Sequence, residues 1–520
     1  MVKLTIDGKS VAVAPGAYVL DAARLGGAEV PTLCHLKDGP LHTSCMMCLV
    51  RDVRANRLIP SCSVPAVDGM EIETHGEEIQ ASRRATLDLL LSEHTGDCDA
   101  PCERGCPAHM EIPRMIRAIA GGDLDEAIRV VKKDIALPSV VGRICPAPCE
   151  KICRRKQHDE AVSICLLKRW SADGDRHRGS QTPPKAPPTG KRAAVVGAGP
   201  AGLAAAFYLA RLGHGVTVFD DHEEAGGTLR YEVPEEKLPR AALEGDIAAI
   251  RDLGVVFAMG AKVDRSLWDR ELAAMDAVIL ATGIIDPELL ASIGVATHAR
   301  GVQVSESFET SRRGVFSRGT ASTLSRMAIR SMADGKELAQ IADRFIQSGE
   351  ASRPPARFNS QMGKLFEGEL ERFLATADAS PRHAKAFTNG EHDGFSMEEA
   401  RKEALRCLHC DCRARDACGL REHATAYGAR RDAWPLARRG DFTQEHPSPD
   451  VLLEQGKCVK CGICVRLSEK AGMKNGFTFV RRGYEIRVEV PWNGPLDGRE
   501  EDIRACVDLC PTGALAYADK

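Results

Sequence analysis

The sequence is short of most features that would place it quickly. Its longest apolar runs, such as AVILATGII, fall well below the roughly 20 residues that a membrane-spanning helix needs. No charge sign dominates: the formal net charge is −3 over 520 residues, which offers a nucleic acid no basic surface. The opening stretch MVKLTIDGKSVAV alternates like a strand and has neither the basic nor the apolar segment of an export signal, so a reducing, cytoplasmic location is expected. There is no repeat of fixed period and no Ser/His/Asp, Cys/His or paired-carboxylate arrangement suited to hydrolysis, so no catalytic residue is assigned.

Cysteine, in contrast, is plentiful. The 20 cysteines fall in tight groups at 34–62, 98–106, 145–165, 407–418 and 458–510. In a chain without an export signal, grouped cysteines point to metal or cluster ligation, because the thiols of a reducing compartment do not persist as disulfides. The length suits several domains, each with its own core. Residues 1–80 read as short strands, one helix and a cysteine loop, and 81–170 as amphipathic helices between cysteine groups. Residues 171–191 are a Pro/Gly-rich linker, 192–346 a strand–glycine-loop–helix unit, and 347–400 a second polar linker. A cysteine-rich segment (401–450) and a last cysteine domain (451–520) follow. The fold class expected is multidomain, α+β and α/β.

Cys34, Cys45, Cys48 and Cys62 have the spacing C-x10-C-x2-C-x13-C, a long loop plus a short hairpin that can surround two irons. Zinc is the alternative, which the wide first spacing disfavours. With VKLTIDGKSVAVAPGAYVLDAA before it, this stretch resembles the β-grasp [2Fe–2S] domain at the N-terminus of the complex I large iron–sulfur subunit and its hydrogenase and formate dehydrogenase relatives. That family places a histidine ligand in H-x3-C, which His94 and Cys98 match.

The runs CERGCPAHMEIP and GRICPAPCEKICRR resemble the helical domain of the glutamate synthase small subunit and of dihydropyrimidine dehydrogenase, which holds two [4Fe–4S] clusters. This chain has one cysteine fewer in the first run, and Cys165 is additional. Seven thiols do not fill eight positions, but seven thiols and His94 do. The resemblance implies His94, Cys98, Cys102 and Cys153 for one cluster and Cys106, Cys145, Cys149 and Cys165 for the other. Cys407, Cys410, Cys412 and Cys418 are soft ligands for a further [4Fe–4S] cluster or for zinc. GKCVKCGICVRLSEK and ACVDLCPTGAL resemble a two-cluster bacterial ferredoxin, in which Cys458, Cys461 and Cys464 join Cys510. The second ferredoxin site lacks its ligands, Ser468 standing at one of them, and Cys506 is left over.

RAAVVGAGPAGLAAAFYLARLGHGVTVFD reads as strand, Gly197-x-Gly199-x-x-Gly202, helix and a strand ending at Asp220, the pattern that holds a dinucleotide pyrophosphate and ribose. GGTLRYEVPEEKLPR, with Gly227 and Arg230, and DAVILATG, with Thr282 and Gly283, resemble the flavin-binding continuation of the glutamate synthase small subunit. FAD is the cofactor this implies. That family inserts a nicotinamide-nucleotide domain after the ATG, and no second glycine motif stands here. The chain is therefore read as a reduced Rossmann-like FAD domain without the NAD(P)H insertion. Thr320 also replaces the acid usual near the flavin.

Together these readings describe a redox relay with one [2Fe–2S] cluster, four [4Fe–4S] clusters and FAD. It would link a catalytic partner, such as a hydrogenase or formate dehydrogenase, to an NAD(P)H-binding subunit or a ferredoxin. A bifurcating or ferredoxin-dependent reductase and a docking subunit with a vestigial flavin fold are the alternatives. The ligand count predicts about 18 irons per chain after anaerobic purification. About 14 irons with one zinc would assign zinc to Cys407–Cys418, and about 10 would remove the clusters from the middle region.

Overall fold

Asp7 and Gly8 carry positive φ (46° and 79°), the two-residue turn that matches the twist of a hairpin. They join β1 (Val2–Ile6) to β2 (Lys9–Val13), which pair antiparallel. The helix α1 (Val19–Leu25) follows, then β3 (Leu49–Asp52), β4 (Arg57–Pro60) and β5 (Glu71–Glu73). The sheet order is β2-β1-β5-β3-β4, with β1 and β5 parallel. Alternation along the strands puts Leu4, Ile6, Val11, Val13, Val50, Ile59 and Ile72 on one face, where Val19, Leu20, Ala22 and Ala23 of α1 cover them. In this computed structural model the described residues are all except 180, 182, 284–286, 299–300, 319–326, 384, 386–393, 435–437 and 519–520.

The chain divides into two units. The first comprises 1–99, 356–375 and 410–520; the second comprises 100–355 and 376–409. The expected domain boundaries are thereby redrawn. Residues 81–99, including most of α2 (Glu77–Ser92), belong with the N-terminal sheet. The stretch 347–400 is no free linker. Glu369 within it is buried and accepts from the backbone N–H groups of Phe366 and Phe442 and from Arg439, contacts that build 356–375 into the first unit. The expected 171–191 linker begins late, because α8, described below, runs on to His177.

In the first unit the C-terminal part has strands Val451–Leu453 and Leu515–Tyr517 paired antiparallel, and helices Ile463–Lys470 and Glu500–Asp508. In the second unit, helices α3 (Pro101–Gly105), α4 (Ile112–Gly121), α5 (Leu124–Asp134), α6 (Pro138–Ile144), α7 (Pro148–Lys151) and α8 (Ile164–His177) precede a parallel sheet. Its strands β6 (Arg192–Val196), β7 (Gly215–Asp220), β8 (Val256–Met259) and β9 (Ala277–Leu280), with Val315–Ser317, take the order Val315–Ser317, β9, β6, β7, β8. The helix α9 (Pro200–Arg211) packs against Ala328–Ser348 so closely that a Cβ at Gly335 would stand 2.1 Å from the Ala201 carbonyl oxygen. Among the described residues no helix is long and apolar enough to cross a membrane.

One buried carboxyl joins the helical layer to the sheet layer of the second unit. Asp246, on helix Arg240–Asp252, accepts from the N–H groups of Ser139 (3.3 Å) and Val140 (3.0 Å) at the start of α6. Burial pushes its pKa up to about 7, outweighing the lowering by those two donors. An unfolded aspartate titrates near about 3.9, so the fold favours the protonated form. This group's contribution is full below about pH 4 and is lost as pH rises through about 7. Asp246→Asn removes that loss. Its thermal unfolding midpoint should match the parent near about pH 4 and exceed it at about pH 8, by about 1–3 kcal/mol of stability.

Candidate functional site

The N-terminal thiols sit where strand ends leave loops. Cys34, Cys45 and Cys48 lie between α1 and β3, Cys62 follows β4, and all are buried. They meet in pairs. The hydrogen bond with Cys45 holds the Cys34 thiol low, at about 5, and the bond with Cys48 lowers Cys62 to about 7. Cys45 and Cys48, whose protons those bonds retain, are pushed up. Ser61 Oγ donates to the Cys48 carbonyl at 2.7 Å and fixes the two loops together.

In the C-terminal part of the same unit, Cys458, Cys461, Cys464 and Cys510 line one small apolar cavity. Left-handed backbone at Lys460 and Gly462 wraps the loop around it, and the Lys460 N–H reaches Cys458 Sγ at 3.4 Å. Cys506 is not part of this lining. It is fully buried in an apolar cluster with Val465, Phe477, Val488 and Leu496. Ser468 Oγ, at the other position expected to lack a ligand, accepts from the Phe477 N–H at 3.0 Å. The second half of the ferredoxin pattern is thus filled with packed side chains.

A third lining in this unit groups residues that the sequence reading had divided. His94 and Cys98 share a small cavity with Cys412 and Cys418, two thiols expected to pair with Cys407 and Cys410. The unit boundary itself falls between His409 and Cys410. Cys410 lines none of the cavities described in this section.

In the second unit Cys165 opens α8, with Sγ 3.5 Å and 3.6 Å from the carbonyl oxygens of Val141 and Gly142. Its hydrogen bond with Cys145 lowers Cys145 to about 6, while burial raises Cys149 and Cys106. Lys168, one turn after Cys165, is buried at the same place. Burial opposes its charge, but Cys165, Cys145, Cys149 and Cys106 outweigh that and keep its pKa above the usual lysine value. Cys102 lies in α3 and Cys153 just after α7, two helices in contact: a Cβ at Gly105 would meet Ile152 Cδ1 at 2.2 Å. The chain around Cys407 approaches the same loop, since Arg155 donates to the Arg406 carbonyl at 2.6 Å.

Around a single tetrahedral zinc, donor atoms stand less than about 4 Å apart. Among the described residues, no trio containing a cysteine brings its ligand atoms within 4.8 Å of one another. The thiol sets are therefore spaced more widely than one ion needs, which fits clusters.

The nucleotide cleft lies at the ends of the parallel strands, its volume of about 480 Å³ within the ~300–1,000 Å³ common for ligand pockets. Gly197, Gly199, Asp220, Gly227, Thr282 and Gly283 line it. Gly197 has φ 108°, and a Cβ there would stand 2.6 Å from the Ala281 carbonyl oxygen. Gly202 acts from behind the turn, where a Cβ would stand 1.8 Å from the Gly197 carbonyl oxygen. Asp220 accepts from the Ala198 N–H at 2.6 Å and the His222 N–H at 2.9 Å. Arg230 does not line the cleft, a departure from its expected cofactor role. Its guanidinium is bound to the Ala225 carbonyl, Glu224 and Glu244, and so braces the loop. Thr320 lies outside the described residues.

Two charged residues went unnoticed in the sequence. Lys168 is one; Arg466 is the other. Buried in helix Ile463–Lys470, Arg466 donates to the carbonyls of Cys34 (2.7 Å), Pro40 (2.6 Å), Cys461 (3.3 Å) and Gly462 (3.1 Å). Among the described residues no carboxylate pairs with it. Nothing local distinguishes these two from solvated lysines and arginines on amphipathic helices.

Comparison with known proteins identifies three stretches of the chain. Residues 1–77 match the 2Fe-2S iron-sulfur cluster binding domain, and 88–180 match the family described as dihydropyrimidine dehydrogenase domain II, 4Fe-4S cluster. Residues 195–246 match the NAD(P)-binding Rossmann-like domain. That match overturns the reading of a flavin fold with its NAD(P)H domain deleted. A glycine turn, parallel strands and a ribose-binding acid serve the ADP half shared by FAD and NAD(P), so a single turn is no sign of a lost nicotinamide-nucleotide domain. The chain is 34% identical over 267 residues to the NADPH-Fe(3+) oxidoreductase subunit beta of Geobacter sulfurreducens, covering 49% of this chain and 37% of that subunit. It is 39% identical over 208 residues to the NADP(+)-dependent formate dehydrogenase subunit beta of Moorella thermoacetica, covering 36% and 29%. An NAD+-reducing [NiFe]-hydrogenase structure in the H2-reduced state matches 20% of this chain and 44% of its own, at 32% identity and a TM-score of 0.18. The matched stretch thus spans little more than a third of the first of these relatives. The chain carries a 2Fe-2S binding domain, a 4Fe-4S binding domain and an NAD(P)-binding Rossmann-like domain, an architecture consistent with electron transfer in a redox system.

Proposed function

We propose that the chain is an electron-transfer iron–sulfur flavoprotein subunit, relaying electrons between a catalytic partner of formate dehydrogenase or hydrogenase type and a second carrier. The observation that carries this reading is Arg466. One guanidinium spans the Cys34 and Cys461 carbonyls, so the loops of two cysteine sets are held side by side. A buried arginine without a carboxylate partner is costly unless negative charge lies close by, and thiolate-bound clusters would supply it on both sides. Bound clusters and flavin provide the electron-transfer chemistry, while the chain's own residues set distance, burial and charge.

The names of the Geobacter and Moorella relatives, both subunits of oxidoreductases, support a place within such a complex. We assign FAD to the cleft, where Gly197, Gly199 and Gly227 admit the pyrophosphate and Asp220 faces the ribose. The match to an NAD(P)-binding Rossmann-like domain favours a second reading, in which the cleft takes NAD(P)H and the chain oxidises it directly.

Two measurements test these assignments. Nucleotide released from denatured, anaerobically purified protein should be FAD; recovery of a nicotinamide nucleotide alone would make the second reading correct. EPR of reduced protein should show the [2Fe–2S] signal split by a neighbouring paramagnetic cluster, with the splitting weakened in Arg466→Met and retained in Arg466→Lys. Unsplit signals in a parent holding full iron would remove the coupled pair, and with it the support for a relay.

A further inference from the structure

We infer that His94, Cys98, Cys412 and Cys418 together form one four-ligand [4Fe–4S] site, assembled from two distant stretches of the chain. The inference rests on the iron–sulfur reading above and changes which residues share a cluster.

The four side chains line a single cavity, closed by Leu91, Phe358, Leu420 and Gly513. Backbone fixes their approach: the Cys412 N–H donates to the Cys98 carbonyl at 3.1 Å, and the Cys98 N–H to the Ser360 carbonyl at 3.0 Å. Two thiols also receive backbone donors that favour the thiolate. The Ser360 N–H reaches Cys98 Sγ at 3.3 Å, and the Arg421 N–H reaches Cys418 Sγ at 3.4 Å. Gly513 leaves room for the third, since a Cβ there would stand 2.1 Å from Cys412 Sγ.

His94 completes the set. It is 8% exposed, and it lines the same cavity as the three thiols. A neutral imidazole offers a ring-nitrogen lone pair for metal coordination. The donors stand wider apart than a single zinc requires, as noted for the other sets, and a cubane's irons hold their outer ligands further apart than one ion does.

The grouping changes the accounts elsewhere. Cys412 and Cys418 no longer belong to a local cluster with Cys407. Cys102 and Cys153, expected to share a cluster with His94 and Cys98, instead stand with Cys407 in the second unit.

The test uses the full chain, purified anaerobically. Histidine labelled with ¹⁵N should give a nitrogen coupling on one cluster signal in pulsed EPR. That same signal should disappear in His94→Ala, Cys98→Ala, Cys412→Ala and Cys418→Ala, each with a loss of about four irons. Cys407→Ala should leave it in place. His94→Cys should keep the signal and lower its midpoint potential, because a thiolate adds negative charge beside the irons. The inference is overturned if Cys412→Ala and Cys98→Ala remove different signals. It is overturned equally if the parent shows cluster signals without any histidine coupling, a result that needs no variant to fold. A parent without cluster signals would overturn the iron–sulfur reading itself, and this site with it.

Discussion

Thiolates buried in a low-dielectric interior are costly unless hydrogen-bond donors or positive charges face them. Around several of the cysteines, the local structure answers that cost. Lys168 stands buried among Cys106, Cys145, Cys149 and Cys165, where their charge holds its proton on despite burial. Arg466 lies against the Cys34 and Cys461 loops. Backbone N–H groups of Ser360, Arg421 and Lys460 point at single sulfurs.

Packing fills the positions where the sequence resemblance would place a second ferredoxin site. A ligand position that no longer binds metal becomes a small void, and a void in a packed core forfeits contacts. Ser468 and Cys506 are buried in its place, the first satisfied by the Phe477 N–H and the second packed among Val465, Leu496 and Val507. The core there is continuous, and Cys458, Cys464 and Cys510 pack against it.

The second unit sets a different requirement beside this one. Its parallel sheet needs backbone to come close to a pyrophosphate, and Gly197, Gly202 and Gly227 are placed where any side chain would collide with neighbouring backbone. Asp246 ties the helices that carry Cys145 and Cys149 to that sheet through the start of α6.

Local signals in the sequence determined a good deal. The Asp7–Gly8 turn, the alternation of β1 and β2, the amphipathic runs of α4 and α5, and the glycine turn before α9 each depend on residues within one or two turns of chain, so they could be read one segment at a time. The cysteine inventory and the nucleotide-binding strand–turn–helix were legible for the same reason. The grouping of ligands was not. Spacing along the chain put Cys412 and Cys418 with Cys407, yet the fold brings them to His94 and Cys98, because the Cys412 N–H bonds to the Cys98 carbonyl and residues 356–375 are laid between. Arg230, marked for the cofactor, is drawn instead to Glu224 and Glu244. Lys168 and Arg466 carried no mark at all, since burial of a charged side chain is decided by what packs over it. Ligand types and local turns are properties of neighbouring residues; which ligands share a site, and which charges face them, are properties of contacts between residues far apart in the chain, and only the tertiary structure sets those.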